Sequence, residues 1–432
     1  MKFRYLLPIA ACLLVIGLSL TPSGRKIDGG RFGKIHISSV VGSPTGVTFL
    51  FSSADGWSER DRNVARELAK HGVLTIGIDS RSYLSRIAGE KADCQYLPGD
   101  VEFISEQLQR AFSTDIYHTP VVAGFGAGAR IAEVIRDQAP ANTVLGAIVS
   151  KSDSEPQLPV SLCNASTSGR VRRPEFLDTL LPEDAGGLAA AVLMRTPSRL
   201  KGAAKSPLAT LPLIELPASA KGGGRLAVVM SGDGGWRDLD KEISEHLRRD
   251  GVSVVGWDSL RYFWSEKTTD QISKALGEVL DHYTKVWRAP KVTLIGYSFG
   301  ASVLPFAYNR LPDRIKAHID QIVLMAPGAT ADFQIRVSGL LGVAPRASAA
   351  SVREQVAMMP TKDVQCFYGA DDTQSVCPAL LQTHAEVIRT AGGHHFDGNY
   401  HAIEGRILSF RRPMPEERLW SGPTYLRTQG LS

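Results

Sequence analysis

Cysteine is scarce in this chain, five residues in 432, and no two are spaced Cys-x-x-Cys, so neither a dithiol redox motif nor a zinc knuckle is signalled. There is no dense basic tract. Lysine and arginine number 49 against 44 acidic residues, a formal net charge of +5. That excludes the nucleic-acid type of surface and leaves a loose attraction to an anionic membrane. No His-x-x-x-His or other ligand set accompanies the adjacent pair His394-His395, so neither a metal nor a cofactor is expected. What is present is ordinary globular composition, 43% hydrophobic and 22% charged, in a chain long enough for two domains of roughly 200 residues each.

The N-terminus points to export. Lys2 and Arg4 precede an apolar run from Leu6 to Leu20, broken only by Pro8, Gly17 and Ser19. Its length fits a signal-peptide core better than a full bilayer span, so residues 1–24 are expected to be a signal peptide, with a retained anchor as the alternative. Removing it takes Cys12 and leaves Cys94, Cys163, Cys366 and Cys377. An even number in an exported chain suggests disulfides, and of three connectivities sequence proximity favours Cys94–Cys163 and Cys366–Cys377.

The chain contains one unit twice. Gly46 to Phe51 reads as a buried strand ending at Ser52-Ser53-Ala54-Asp55-Gly56-Trp57, then comes a helix, then a second strand from Gly72 into Asp79-Ser80-Arg81. Leu226 to Met230 leads in the same way into Ser231-Gly232-Asp233-Gly234-Gly235-Trp236, a helix, and Gly251 into Asp258-Ser259-Leu260-Arg261. Trp57 and Trp236, Gly72 and Gly251, Asp79 and Asp258, and Tyr83 and Tyr262 are all 179 apart. Strands alternating with helices imply mostly parallel, doubly wound sheets, so the fold class is α/β with two tandem α/β-hydrolase-like domains. The expected division is a first domain over 25–205, a Pro- and Gly-rich linker over 206–224 with a short strand at Leu213 to Leu216, and a second domain over 225–432. Late in the second copy, Ala379 to Arg389 reads as helix, with a strand at Glu386 to Thr390 as the alternative boundary.

Chemistry separates the copies. Val292 to Ile295 runs into Gly296-Tyr297-Ser298-Phe299-Gly300 and then a helical segment. This strand–turn–helix with G-x-S-x-G at the corner exposes a serine hydroxyl near the positive end of the helix. In the first copy Gly126 of Gly124-Phe125-Gly126-Ala127-Gly128 stands where Ser298 stands, so that copy is expected to be degenerate and non-catalytic. A serine nucleophile needs a base and a group to orient it, in the chain order Ser, acid, His. Asp372, three residues after Gly369, is the expected acid with Asp371 second; His394 is the expected base with His395 second. The oxyanion donors are expected to be the amide of Phe299 and one from the Gly232-Asp233-Gly234-Gly235 loop, with Asp233 and Gly234 foremost. Trp236, Tyr297 and Asp258 are candidate substrate-binding residues, with Tyr262, Phe263 and Trp264 as further candidates for lining an acyl pocket.

Taken together, Ser231-Gly232-Asp233-Gly234-Gly235-Trp236, Asp258-Ser259-Leu260-Arg261-Tyr262-Phe263-Trp264, Gly296-Tyr297-Ser298-Phe299-Gly300-Ala301 and Gly392-Gly393-His394-His395-Phe396-Asp397 resemble the VirJ/AcvB family of exported bacterial proteins. The resemblance covers the whole chain, the two-copy arrangement being similar to the AcvB type. It implies a periplasmic serine hydrolase acting on lysyl-phosphatidylglycerol, with a triad of Ser298, Asp372 and His394 and a tie to virulence. The partners implied are an aminoacylated phospholipid at the membrane surface and, through the first domain, a periplasmic protein; nucleic acid is not expected. The lysyl group would want a carboxylate, for which Asp233, Asp258 and Asp332 are candidates. The alternatives are a generic carboxylesterase and a non-enzymatic periplasmic binding or chaperone protein.

Overall fold

The computed structural model describes residues 27–38, 40–139, 143–150, 158–163, 176–180, 185–196, 208, 211–218, 224–335, 350–398 and 400–410. The expected signal peptide, much of the 206–224 linker and the tail beyond 410 lie outside the described residues.

The first half builds a six-stranded sheet. In chain order it runs β1 (Ile35–Ser38), β2 (Gly46–Phe51), α1 (Glu59–Lys70), β3 (Val73–Ile78), α2 (Ser80–Ala88), α3 (Pro98–Ala111), β4 (Val121–Phe125), α4 (Ala127–Gln138), β5 (Gly146–Ser150), β6 (Phe176–Leu180) and α5 (Ala185–Arg195). The strand order is β1-β3-β2-β4-β5-β6, parallel except for β1 at the edge. β2 to β5 are buried along their whole length, as near-continuous apolar strands with helices on both faces must be.

The second half repeats this with one more strand. It comprises β7 (Leu213–Leu216), β8 (Arg225–Met230), α6 (Asp238–Arg249), β9 (Val252–Trp257), α7 (Ser259–Tyr262), α8 (Thr269–Val286), β10 (Lys291–Tyr297), α9 (Phe299–Asn309), α10 (Asp313–Lys316) and β11 (Ile319–Met325). A two-stranded ribbon, β12 (Thr330–Ala331) and β13 (Ala350–Ser351), precedes α11 (Val352–Ala357), β14 (Val364–Gly369), β15 (Glu386–Thr390) and α12 (Tyr400–Ser409). The large sheet has the order β15-β14-β11-β10-β8-β9-β7. β7, expected as a short strand inside a linker, is the antiparallel edge of this sheet, as β1 is of the first.

The helix expected over Ala379 to Arg389 is a correction. A 3-10 turn covers Cys377–Leu380, and Glu386–Thr390 is the strand β15, parallel to β14. Sheet pairing overrides the local helical preference here, helped by the Gln365 amide, which donates to Glu386 across the two strands at 2.8 Å. The disulfides join Cys94 to Cys163 and Cys366 to Cys377, one in each half.

The halves meet through α3 and the loop after it. Trp264 is 1% exposed. Its indole N–H donates to the Thr114 carbonyl at 3.0 Å, Tyr117 lies 5.1 Å from its ring, and the Arg110 guanidinium stacks on it at 3.5 Å. Arg110 also donates to the carbonyls of Trp264 and Ile335, and Arg261 donates to Thr119 at 2.6 Å. Tyr117, although it comes from the first half, is buried in the core of the second. Trp264→Ala should therefore cost about 3–5 kcal/mol, as loss of a buried aromatic does, read as a lower denaturant midpoint.

Burial pushes the carboxyl of Glu106, also on α3, up to about 7, with Glu102 and Asp233 adding to burial and Arg237 and Arg110 opposing it. Between the ordinary carboxyl value and 7 the folded state holds a proton that the unfolded state has lost. Stability therefore falls as pH rises through that window, and the cost is complete above it. Glu106→Gln should raise Tm by several degrees at pH 8, on the order of 3 kcal/mol, and by much less at pH 5.

Candidate active site

β10 ends at Tyr297 in the middle of the second sheet, and Ser298 turns the chain into α9 with φ 51° and ψ −110°. This left-handed conformation is unusual for a residue with a side chain and costs of order 1–3 kcal/mol. The turn is held by a tight crossing. A Cβ on Gly300 would stand 2.4 Å from the Met230 carbonyl oxygen, so helix and strand β8 can approach only through glycine. The Ser298 amide donates to the Met325 carbonyl at 2.8 Å, which anchors the turn to β11.

The first half keeps the same corner without the chemistry. Gly126 has φ 51° and ψ −114°, a Cβ on Gly128 would meet the Phe51 carbonyl oxygen at 2.2 Å, and the Gly126 amide donates to Ser150 at 3.1 Å.

Two loops reach Ser298 from the strands beyond β11. His394 Nε2 lies 2.8 Å from Ser298 Oγ, and His394 Nδ1 lies 2.9 Å from Asp372 Oδ2. With Asp372 an acceptor, Nδ1 carries the imidazole proton, and Nε2 accepts from the serine hydroxyl. The Asp372 side chain is 4% exposed and that of His394 41%, so the acid is sealed while the base faces the solvent side. Asp372 is fixed further, its Oδ1 accepting the Gln374 amide at 3.0 Å. The acid loop is closed at its base by the Cys366–Cys377 disulfide. It meets the histidine loop at Gly369, where a Cβ would stand 2.1 Å from the Gly393 carbonyl oxygen.

The alternates are placed elsewhere. Asp371 donates its amide to the Gly392 carbonyl at 2.9 Å. His395 Nδ1 shares a 2.7 Å hydrogen bond with the Tyr297 hydroxyl. Burial pushes that phenol's pKa up, so it stays neutral and holds His395 away from the serine.

Beside the serine lies the Gly232–Gly235 turn. A Cβ on Gly232 would be 3.6 Å from Ser298 Cβ, so this residue borders the nucleophile. Among the described residues the amides of Gly232, Asp233, Gly234 and Phe299 donate to no backbone carbonyl, while the Gly235 amide is used by Gly232 at 3.1 Å. Phe299 is the first residue of α9, where an unpaired amide is expected. Gly234 lies under the Arg237 guanidinium, 1.9 Å from where its Cβ would be. Gly232 belongs to the Gly232-Asp233-Gly234-Gly235 loop that the sequence pointed to, although Asp233 and Gly234 were the residues put first there.

Three expected substrate contacts are corrected. Trp236 is 2% exposed and packs under β9, where a Cβ on Gly256 would collide with its ring at 2.4 Å. Trp57 and Gly77 repeat the contact in the first half, so this tryptophan belongs to the packing of the repeat. Asp258 is 4% exposed and caps α7, accepting the Arg261 amide at 3.1 Å; burial pushes its carboxyl pKa up. Trp264 belongs to the interface between the halves. Phe263, by contrast, packs edge-on against Phe299, 5.0 Å between ring centres, next to the nucleophile. Asp332 accepts the Phe333 amide at 2.8 Å, within its own turn. A different group, His246, His401 and Glu404, brings possible ligand atoms within 4.8 Å of one another on α6 and α12.

No curated protein matches the chain by sequence. Among solved structures it is similar to the esterase Est1E from Butyrivibrio proteoclasticus bound to ferulic acid, at 13% identity over 46% of this chain and 92% of that one, TM-score 0.33. It is similar also to an α/β serine hydrolase homologue from Coxiella burnetii, at 14% identity over 45% and 89%, TM-score 0.34. A third is a lidless α/β serine hydrolase from Xanthomonas campestris, at 15% identity over 45% and 84%, TM-score 0.31. The profile of the bacterial virulence protein VirJ matches residues 46–145 and 224–413, so that it spans both copies of the repeat. The chain, an α/β-hydrolase fold in tandem with its serine at the second elbow, belongs to the VirJ family of bacterial virulence proteins.

Proposed function

We propose that the protein is an exported serine ester hydrolase that cleaves the aminoacyl ester of lysyl-phosphatidylglycerol in the periplasm. The observation that carries the hydrolase reading is the unbroken hydrogen-bond line Ser298–His394–Asp372, at 2.8 and 2.9 Å. The resemblance of the motifs to the AcvB type supports the lipid substrate. The two disulfides support an oxidising compartment.

The chemistry follows from the geometry. Ser298 Oγ attacks the ester carbonyl as His394 Nε2 takes its proton. Asp372 accepts the Nδ1 proton's hydrogen bond and balances the imidazolium. The amides of Phe299 and of the Gly232–Gly234 turn face the developing oxyanion; each such donor is worth about 10²–10³ in rate. His394 then protonates the phosphatidylglycerol oxygen as the C–O bond breaks, leaving lysyl-Ser298. Water attacks this second ester, giving its proton to His394, and lysine leaves as Ser298 recovers the proton.

Protein lacking the N-terminal segment should release lysine and phosphatidylglycerol from lysyl-phosphatidylglycerol in mixed micelles. Ser298→Ala should lower the rate by about 10³-fold or more. Equal release by both would remove Ser298 from the mechanism. Turnover of simple acyl esters alone would reduce the reading to a carboxylesterase, and no turnover of either by folded protein would favour a binding protein. His394→Ala should match the loss in Ser298→Ala, whereas His395→Ala, which removes the bond to Tyr297 and leaves the Ser298–His394–Asp372 line in place, should lose less than about tenfold.

A further inference from the structure

The first copy has no nucleophile, yet α3 presents a stripe of side chains, Glu102, Glu106 and Arg110, to the second copy at helical spacing. The outer two are engaged. Glu102 accepts from Arg237 at 2.5 Å, and Arg110 is held by the Trp264 ring and the carbonyls of Trp264 and Ile335. Glu106, between them, is only 9% exposed and makes no hydrogen bond or ion pair with any described residue. A buried carboxylate without a partner is costly, and packing alone would have been served by an apolar side chain.

The charged groups facing Glu106 are Glu102 on its own helix, Asp233 and Arg237 from the turn that borders Ser298, and Arg110; the Tyr117 phenol lies near. Both cations are committed, Arg237 to Glu102 and over Gly234, Arg110 to Trp264. Neither arginine therefore pairs with Glu106, and the carboxylates of Glu102 and Asp233 are the negative groups that act on it. Among the described residues Glu102, Glu106 and Asp233 do not converge as metal ligands would, their oxygens not falling within 4.8 Å of one another. The path to the serine is short: Asp233 adjoins Gly232, which touches Ser298.

The geometry points to a specificity subsite in which Glu106, with Glu102 and Asp233, receives an ammonium group at the far end of the substrate's acyl chain. The inference rests on Ser298 acting as the ester nucleophile. It makes the first copy part of the active site, adding from α3 carboxylates to the one that Asp233 supplies from the second copy's own turn. The pKa of Glu106, raised to about 7 by burial, means that the subsite gains its charge as pH rises through neutrality.

The test compares methyl 6-aminohexanoate with methyl heptanoate, chains of equal length that differ by a terminal ammonium in place of a methyl group. The ratio of their kcat/KM values should favour the ammonium ester in the parent and increase from pH 6 to pH 8. In Glu106→Gln the ratio should fall at least tenfold at pH 8 and become flat with pH. A ratio unchanged by Glu106→Gln, or a parallel loss on both esters, overturns the subsite while leaving the hydrolase standing. Failure of the folded parent to turn over either ester, with Ser298 unlabelled by a fluorophosphonate, overturns the hydrolase reading and the subsite with it.

Discussion

Ser298 is held in a left-handed backbone conformation that a residue with a Cβ avoids. The conformation persists because the surroundings over-determine it: the preceding strand lies in mid-sheet, the amide is tied to Met325, and Gly300 lets α9 press on the carbonyl of Met230. The same forces act at Gly126, where glycine adopts almost the same angles without the penalty. The elbow is thus a property of the fold, and the nucleophile is an addition to it. With glycine at Gly126 the first copy keeps the same corner without that strain.

The triad depends on two further contacts that are not themselves chemical. The acid loop is pinned at its base by a disulfide and the histidine loop is brought over it at Gly369, where only a hydrogen fits between backbone segments. Burial of Asp372 and exposure of His394 then follow from the position of the loops. The base can meet substrate and water while its partner stays desolvated, the condition under which a carboxylate–imidazole hydrogen bond is strongest.

The degenerate copy docks on the side of the second copy that carries the serine's neighbouring turns. Its helix α3 touches Trp264, Arg237 and Ile335, all of which lie in loops and not in the sheet. The first half thus contacts loops that border Ser298 and places the carboxylates Glu102 and Glu106 beside them. Glu106 is the sharpest case, since its burial is destabilising above neutrality and the opposing charges of Arg237 and Arg110 only partly offset it.

Period, spacing and glycine placement are local, so the repeat, the α/β architecture, the elbow and the order of serine, acid and histidine were all legible in the chain. So were the two disulfide pairs, because proximity in sequence limited the choices. Asp372 and His394 were the expected members of Asp371-Asp372 and His394-His395, but the neighbours stayed open as alternatives, because adjacent residues in a loop differ only in the direction the backbone turns them. Trp236 and Asp258 looked like site residues because they lie in the loops that follow strands; only the packed structure shows one under Gly256 and the other capping a helix. The strand at Glu386–Thr390 needed β14 beside it to outweigh helical preference. The sequence by itself determined the elements and the nucleophile's corner, through patterns written in neighbouring residues. The tertiary structure alone decided the pairing of loops, the docking of α3 against the serine's surroundings and the burial of Glu106, since each arises between segments that are not neighbours along the chain, the α3 contacts spanning more than a hundred residues.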